Sequence, residues 1–446
     1  MSTFKIIVVG VFIFFGVIGV FIFASYGGSS KAVIPKVTIW GTLPGGSFSE
    51  YVRVLNANST ILNATYVEIQ PEDFKDTFVN ALAEGKGPDL VLLPDNLLFE
   101  QKGKLVPIGY QTFPERDFRD TFVDAAQLFL AKEGVLGVPF AIDPLVMYWN
   151  KDIFSTAGVS RPPQFWSELT ELGPKVIQRN ETSSILQAML PFGEFRNVTN
   201  AKEIMATLLF QAGTNIVVQG DTGQFYSIID VTTSNSSNTR GSSNLDSTTI
   251  PTSSGTAPAT AAVNFFAAFS NPVNQLYTWN RSLPKSDEMF LSGDLAMYFG
   301  FASELSTLQR KNPNLNFDVA TMPQAENAPK SAYTRIYALS IVKGAENLDS
   351  ALAAISILTA PSALPQWTIA TNLPPVRRDL LVTRPKDAYL DVFYGAAIQS
   401  KTWMDPDPDL SYEIFRDMVE MVTTGRTGSG ADVVTLAKQR LDQALK

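Results

Sequence analysis

Residues 134–152 read GVLGVPFAIDPLVMYWNKD, two apolar runs parted by Asp143-Pro144. Each run is short and rich in Val, Ile, Leu, Met and aromatics, the pattern of a strand buried on both faces. A carboxylate in such surroundings must be paired or neutralised, because burying a bare charge is costly. Asp143 therefore reads in two ways. It is either a turn aspartate ahead of a proline or a functional acid set into the core.

The flanking segments alternate strand and helix. Val37-Thr38-Ile39-Trp40-Gly41-Thr42 is an apolar strand entering a loop, and Ser47-Phe48-Ser49-Glu50 has capping-box spacing, so a helix is expected from there to about Leu55. Thr65–Ile69 alternates like a strand. Glu72–Glu84 carries Phe74, Phe78, Ala81 and Leu82 on one side and meets Gly85 and Gly87 at its end, as a helix does. Asp89–Leu93 is a further strand. Later come a helix near Ala262–Phe269, a helix end, turn and strand over Phe290–Gly300, and a helix over Leu348–Leu358 preceded by Asn347. Two amphipathic helices, Ser411–Thr423 and Asp432–Leu445, close the chain. The order predicts an α/β layer architecture. Thr232–Ala261 is rich in Ser, Thr, Asn, Gly and Pro and reads as a flexible insertion.

Composition removes more function classes than any motif adds. The chain has 446 residues, enough for two domains, with 45% hydrophobic and 17% charged residues. Its net charge is −8 and it carries no basic block, which argues against a nucleic-acid reader. It contains no Cys and no His. Disulfides, thiolate nucleophiles, His-based triads, His- or Cys-ligated zinc and a lipidated cysteine are thereby excluded. No cofactor is expected. Asp405-Pro-Asp407-Pro-Asp409 has the spacing that opens a calcium loop, but Leu410 stands where glycine is needed and Arg416 where the bidentate glutamate should be. A solvated, proline-stiffened loop is the expectation there, with no metal.

Residues 1–28 hold an almost unbroken apolar run, Ile6–Tyr26. About 20 residues cross a ~30 Å hydrocarbon core, and a signal h-region is shorter, so an N-terminal transmembrane helix is expected ahead of a linker at 29–35. Ala24, Ser25, Gly27 and Gly28 leave cleavage of a signal open.

The segments, taken in order, resemble family 1 of the extracellular solute-binding proteins, the group typified by maltose-binding protein. The resemblance rests on Val37–Trp40, the Gly85–Leu90 run GKGPDL, Gly103–Ile108 (GKLVPI), Gly137–Asp152, Pro163–Leu169, Phe290–Gly300, Ala338–Leu358, the LPPV of Leu373–Val376 and Thr424-Gly425-Arg426. It covers nearly everything after residue 36 except the insertion. It implies a periplasmic-binding-protein type II-like fold of two α/β lobes with hinge crossings, near Asp143-Pro144, Arg335–Tyr337 and Val376–Leu381. The N-lobe would comprise 36–142 plus 337–376. The C-lobe would comprise 143–336 plus 377–446, with the insertion 232–261 in it. The implied role is the extracellular substrate-binding component of an ABC importer, with permease subunits as partners, the membrane as anchorage and a mono- or oligosaccharide as solute. The large C-terminal part would lie outside the cell or in the periplasm.

Sugars present C–H faces and hydroxyl rims, so a site needs aromatic platforms and fixed polar groups. Asp95 and Asn96 follow a strand at its C-terminal end, where α/β clefts form, and Thr42 lies in the first loop. Trp40 is either core or cleft. The resemblance adds Asp143 as a ligand-binding acid, Phe195, Arg196 and Asn197 in a contact loop, and Phe301, Trp403 and Tyr412 at or beside platform positions. Two rivals stand beside this reading: a membrane-tethered receptor or adhesin without a transporter, and a two-carboxylate glycosidase using Asp143 and Asp95. No nucleophile–base constellation supports the enzyme.

Overall fold

The computed structural model describes residues 35–220, 222–231, 257–425 and 430–446. The N-terminal apolar run, residues 232–256 of the insertion, and Arg426 lie outside the described residues. Among the described residues no helix is long and apolar enough to cross a membrane.

The decisive stretch forms one strand rather than two. Val138–Asn150 runs for 13 residues without a turn at Asp143-Pro144. Tertiary pairing overrides the local turn signal: Ala332–Val342 lies antiparallel beside it, with Thr334 opposite Pro144, Arg335 opposite Asp143 and Ile336 opposite Ile142. The register slips between Tyr337 and Ala338, which pair with Ala141 and Pro139. Phe140 is the extra residue of a β-bulge, a feature that bends a strand and increases its twist.

These two long strands unite a sheet of nine strands among the described residues. Its central order is Met297–Phe301, Val138–Asn150, Ala332–Val342, Leu90–Pro94, Val37–Gly41 and Ala64–Glu68. The last three are mutually parallel, with Thr38 beside Thr65 and Trp40 beside Val91. Two hydrophobic cores flank the sheet. The first takes Val37–Ile142, Ile336–Trp367 and Val376; the second takes Leu145–Tyr333, Trp403 and the terminal helices. Each long strand contributes to both: Ile142 to the first and Leu145 to the second, Ile336 to the first and Tyr333 to the second. The helix Ala388–Ile398 also serves both, through Tyr394 and Ala397 on one side and Phe393 and Ala396 on the other.

Most helices arise where the pattern places them. Leu348–Leu358 is capped by the Asn347 side chain, which accepts from the Ser350 amide at 2.9 Å. Pro71–Ala83 buries Phe74 and Phe78. Three expectations are corrected. Ser47 is not a helix cap: the first helix runs Gly45–Asn58, and Glu50 pairs with Arg53 at 2.6 Å instead of reaching back. The insertion stops short of Ala261, because helix Pro258–Ala267 begins with proline at its first position. The Asp405–Asp409 segment is not a solvated loop. Asp405 is buried against Lys202 at 2.9 Å, and Asp407 caps helix Pro408–Thr424 by accepting from the Asp409 and Leu410 amides at 3.0 Å each.

Candidate functional site

Three parallel strands end side by side, and their C-terminal ends carry Gly41-Thr42, Glu68 and Asp95-Asn96. The crossing strand brings Tyr337 next to Pro94 and Arg335 next to Asp143 at the same edge. Close approach fixes this corner. A Cβ on Gly41 would stand 2.9 Å from the Leu92 Cβ and 3.1 Å from the Tyr66 hydroxyl, which itself donates to the Leu43 carbonyl at 2.8 Å.

Asp143 is 5% exposed. Its two carboxylate oxygens accept from the Ser303 amide at 2.9 Å and the Ser303 hydroxyl at 2.6 Å. Desolvation pushes its pKa up to about 6, against the lowering pull of Ser303 and Arg335. Asp95 is 1% exposed and begins the 3-10 turn Asp95–Leu97. It accepts from the Ile336 amide at 3.1 Å, from the Tyr333 hydroxyl at 3.4 Å and from the Thr402 hydroxyl. Desolvation raises it as well, to about 6, with Thr402, Ile336 and Arg335 opposing. Asp95 thus ties the first core to two residues at the border of the second.

Arg335 sits between these acids and was missed as a site residue by the sequence reading, which marked only a crossing there. A charged residue amid the apolar run Ala332–Val342, in the way Asp143 interrupts its own run, is the signal that could have found it. Its guanidinium lies 3.7 Å from the Phe301 ring centroid and 3.9 Å from Glu203, and its side chain is 39% exposed. It makes no hydrogen bond within reach among the described residues. Burial works against its charge, but Glu203 first, then Tyr337 and Asp143, hold its pKa above the ordinary value. Phe301 is buried beneath that guanidinium and edge-on to Tyr333 at 6.3 Å, so its face is already covered. Glu304 holds the Phe301 amide at 2.8 Å and accepts from Asn200 at 3.0 Å.

The other candidates are dispersed. Trp40 is half-buried against the first core, and Thr42 and Asn96 are half-buried at the strand ends. Trp403 is 4% exposed and stacked on Phe415 with ring planes 8° apart, which makes it a core residue and not a platform. Phe195 is fully buried and meets Tyr412 edge-on at 5.0 Å. Arg196 points to Glu420 at 2.7 Å. Asn197 is a structural staple: it donates to the Asn280 and Leu283 carbonyls at 2.9 and 3.1 Å and accepts from the Trp279 indole at 3.1 Å. Their bonds run within the second core and none reaches the Asp143–Arg335 edge.

Two cavities lie elsewhere. One of about 300 Å³ is lined by Ser47, Glu50, Tyr51 and Gln366; one of about 240 Å³ is lined by Trp166, Leu208, Gln211 and Phe265. Neither is lined by Asp95, Asp143 or Arg335. Convergent polar groups at the core boundary, rather than these cavities, mark the candidate site. Among the described residues no group of three acids is placed to hold a metal ion.

One sheet shared by two hydrophobic cores makes a two-lobed α/β architecture. The family model for bacterial extracellular solute-binding proteins matches residues 61–388, and the chain belongs to that family. A binding protein of Brucella abortus (strain 2308) is 25% identical over 136 residues, 30% of this chain and 32% of that protein. A binding protein of Brucella suis biovar 1 (strain 1330) matches to the same extent. The chain thus aligns with about a third of the length of these curated relatives. Among solved structures, a cyclo/maltodextrin-binding protein complexed with maltotetraose superposes with TM-score 0.70 at 16% identity, covering 94% of this chain and 99% of that one. The cyclic alpha-maltosyl-1,6-maltose binding protein of Arthrobacter globiformis gives 0.71 at 15%, covering 93% and 100%. The sugar-binding protein MalE of Xanthomonas citri gives 0.69 at 18%, covering 92% and 97%. At these identities the likeness establishes the two-lobed α/β fold.

Proposed function

We propose that the protein is the substrate-binding component of a bacterial ABC importer and captures a mono- or oligosaccharide between its lobes. The observation that carries this is the cluster of Asp95, Asp143 and Arg335 at the strand ends where the chain passes between cores. Crevices at the C-terminal ends of parallel strands are where α/β folds take ligands. The sugar ligands named for the structural neighbours support the solute class. The lobes are 36–142 with 337–376, and 143–336 with 377–446. Asp143, Asp95, Asn96, Thr42 and Trp40 belong to the crevice, with Phe301 as the support beneath Arg335.

The partners are ABC permease subunits in the membrane, and the binding part works outside the cell or in the periplasm. Ile6–Tyr26 supports an N-terminal membrane anchor by its length and apolar character. The protein binds and carries out no covalent step.

The test is a carbohydrate panel scored by thermal stabilisation of the chain from Lys36. A ligand at 100 times its Kd adds about 2.7 kcal/mol. Sugars are expected to shift the melting point. If no sugar does while an amino acid or peptide does, the solute class is wrong. Asp143→Ala should weaken the sugar that binds; unchanged affinity removes Asp143 from the site.

A further inference from the structure

Two polar side chains on one face of the crossing strand are partly buried without a hydrogen-bond partner among the described residues. Arg335 and Tyr337 are two residues apart on Ala332–Val342, so they project to the same side of the sheet. Both are half-buried. Neither the guanidinium nor the Tyr337 hydroxyl makes a hydrogen bond to the described residues, whereas the Tyr333 hydroxyl, on the same strand, reaches Asp95 at 3.4 Å. Partly buried donors with no protein acceptor are expected to face a ligand or water.

The guanidinium is also oriented. Phe301 supports one face of it at 3.7 Å, and the Phe301 ring is held by burial and by its edge-on contact with Tyr333. A supported guanidinium is a rigid planar fork, suited to two adjacent acceptors. Its immediate electrostatic company is acidic. Asp143 faces it across the strand pair, Glu203 is 3.9 Å away, and Asp95 is close enough to feel its charge. One cation among three carboxylates leaves the site with an excess of negative charge.

We infer that Arg335, assisted by Tyr337, is a specificity-determining residue of the solute site, and that the site selects neutral vicinal hydroxyls over a carboxylate-bearing sugar. This rests on the sugar-binding reading. The fork donates to two neighbouring hydroxyl oxygens, and those hydroxyls donate onward to acidic groups. A uronate presents acceptors only on its carboxylate and meets the surplus negative charge. Local repulsion of that kind is a means of excluding a wrong ligand. An uncrowded arginine would have favoured the acid; the three carboxylates reverse the preference.

The experiment uses the full chain and calorimetric titration with four probes: maltotetraose, glucose, glucuronate and glucosamine. Wild type is expected to bind a neutral probe and to bind glucuronate at least ~10-fold more weakly than glucose. Arg335→Met should lower neutral-sugar affinity ~10- to 100-fold, as loss of a charge-assisted hydrogen bond does. Arg335→Lys, which keeps the charge and loses the fork, should fall between. Glu203→Gln should narrow the glucose-to-glucuronate ratio, and this readout decides the matter if Arg335→Met does not fold. Neutral-sugar binding unchanged in folded Arg335→Met, glucuronate preferred by wild type, or a ratio unmoved by Glu203→Gln would each overturn the inference while leaving the sugar-binding reading intact. Wild type silent to all four probes and to the wider carbohydrate panel defeats that reading instead.

Discussion

Arg335 and Asp143 are Cα partners on adjacent antiparallel strands, at the level where each strand leaves one hydrophobic core and enters the other. Opposite charges directly across a strand pair stabilise by roughly 0.2–1 kcal/mol at ordinary sheet positions. Here the setting is more demanding. Asp143 is turned to Ser303, and the guanidinium lies on Phe301, so the two strands are linked through the ends of a third, Met297–Phe301.

The two buried acids make stability depend on pH. Asp95 and Asp143 are each raised to about 6 from 3.8 by desolvation. Between those values the folded chain holds protons that the unfolded chain has released, so lowering the pH favours folding. The ionisation penalty is fully present above about pH 6 and absent below about pH 4. Each group accounts for roughly 3 kcal/mol across that window. Urea denaturation at pH 7.5 and pH 5 should show the gain, and Asp95→Asn with Asp143→Asn should flatten it. An unchanged slope in the double variant would show that other groups carry the dependence.

Lys202 and Asp405 form a buried ion pair, with side chains 10% and 3% exposed. The ammonium also donates to the Pro408 carbonyl and the Ser411 hydroxyl at 3.1 Å each. Lys202→Met leaves Asp405 buried without its counter-charge, which should cost about 3–5 kcal/mol. Adding Asp405→Leu should recover much of the loss, because an apolar pair of similar volume often matches a buried ion pair. Chemical denaturation of the two variants checks this. A single variant as stable as wild type would mean the pair contributes nothing.

Lys102 is held between two rings, 3.7 Å from the Phe99 centroid and 4.3 Å from that of Phe225. Phe99 packs on the first core, whereas the Phe225–Ser227 strand is rooted in the second: Ser227 donates to the Ile216 carbonyl at 2.8 Å and its amide to Asp442 at 2.7 Å. Cation–π and ring contacts of this kind contribute about 0.5–1.5 kcal/mol each. Phe225→Ala should therefore loosen one inter-core contact, increase the radius of gyration in solution scattering and weaken solute binding several-fold. Scattering and affinity identical to wild type would remove the clasp from any account of closure.

Much of the fold was legible because it is written in local codes. Asn347 before an apolar helical period, Phe74 and Phe78 on one helix face and the β-rich Leu90–Leu93 all sit where the pattern places them. Asp143 was legible as an anomaly. What escaped depends on partners far along the chain. Arg335 gains meaning only from Phe301, Glu203 and Asp143, none a sequence neighbour. Asp405 looked like a solvated acid because Lys202 is 203 residues away. Trp403 looked like a platform because its stacking partner, Phe415, belongs to the following helix. Glu50 lies at capping distance from Ser47, but Arg53 competes for it one turn on.

The bulge at Phe140 has a mechanical meaning. Proline at 139 and 144 contributes no amide to the ladder, and the bulged residue between them has no partner. The segment 139–144 thus lacks two ladder amides and carries one unpaired residue, while Ala141–Pro144 stay in register with Thr334–Tyr337. Extra twist is therefore concentrated at one point of the ribbon that joins the two cores, which is where a bulge places it.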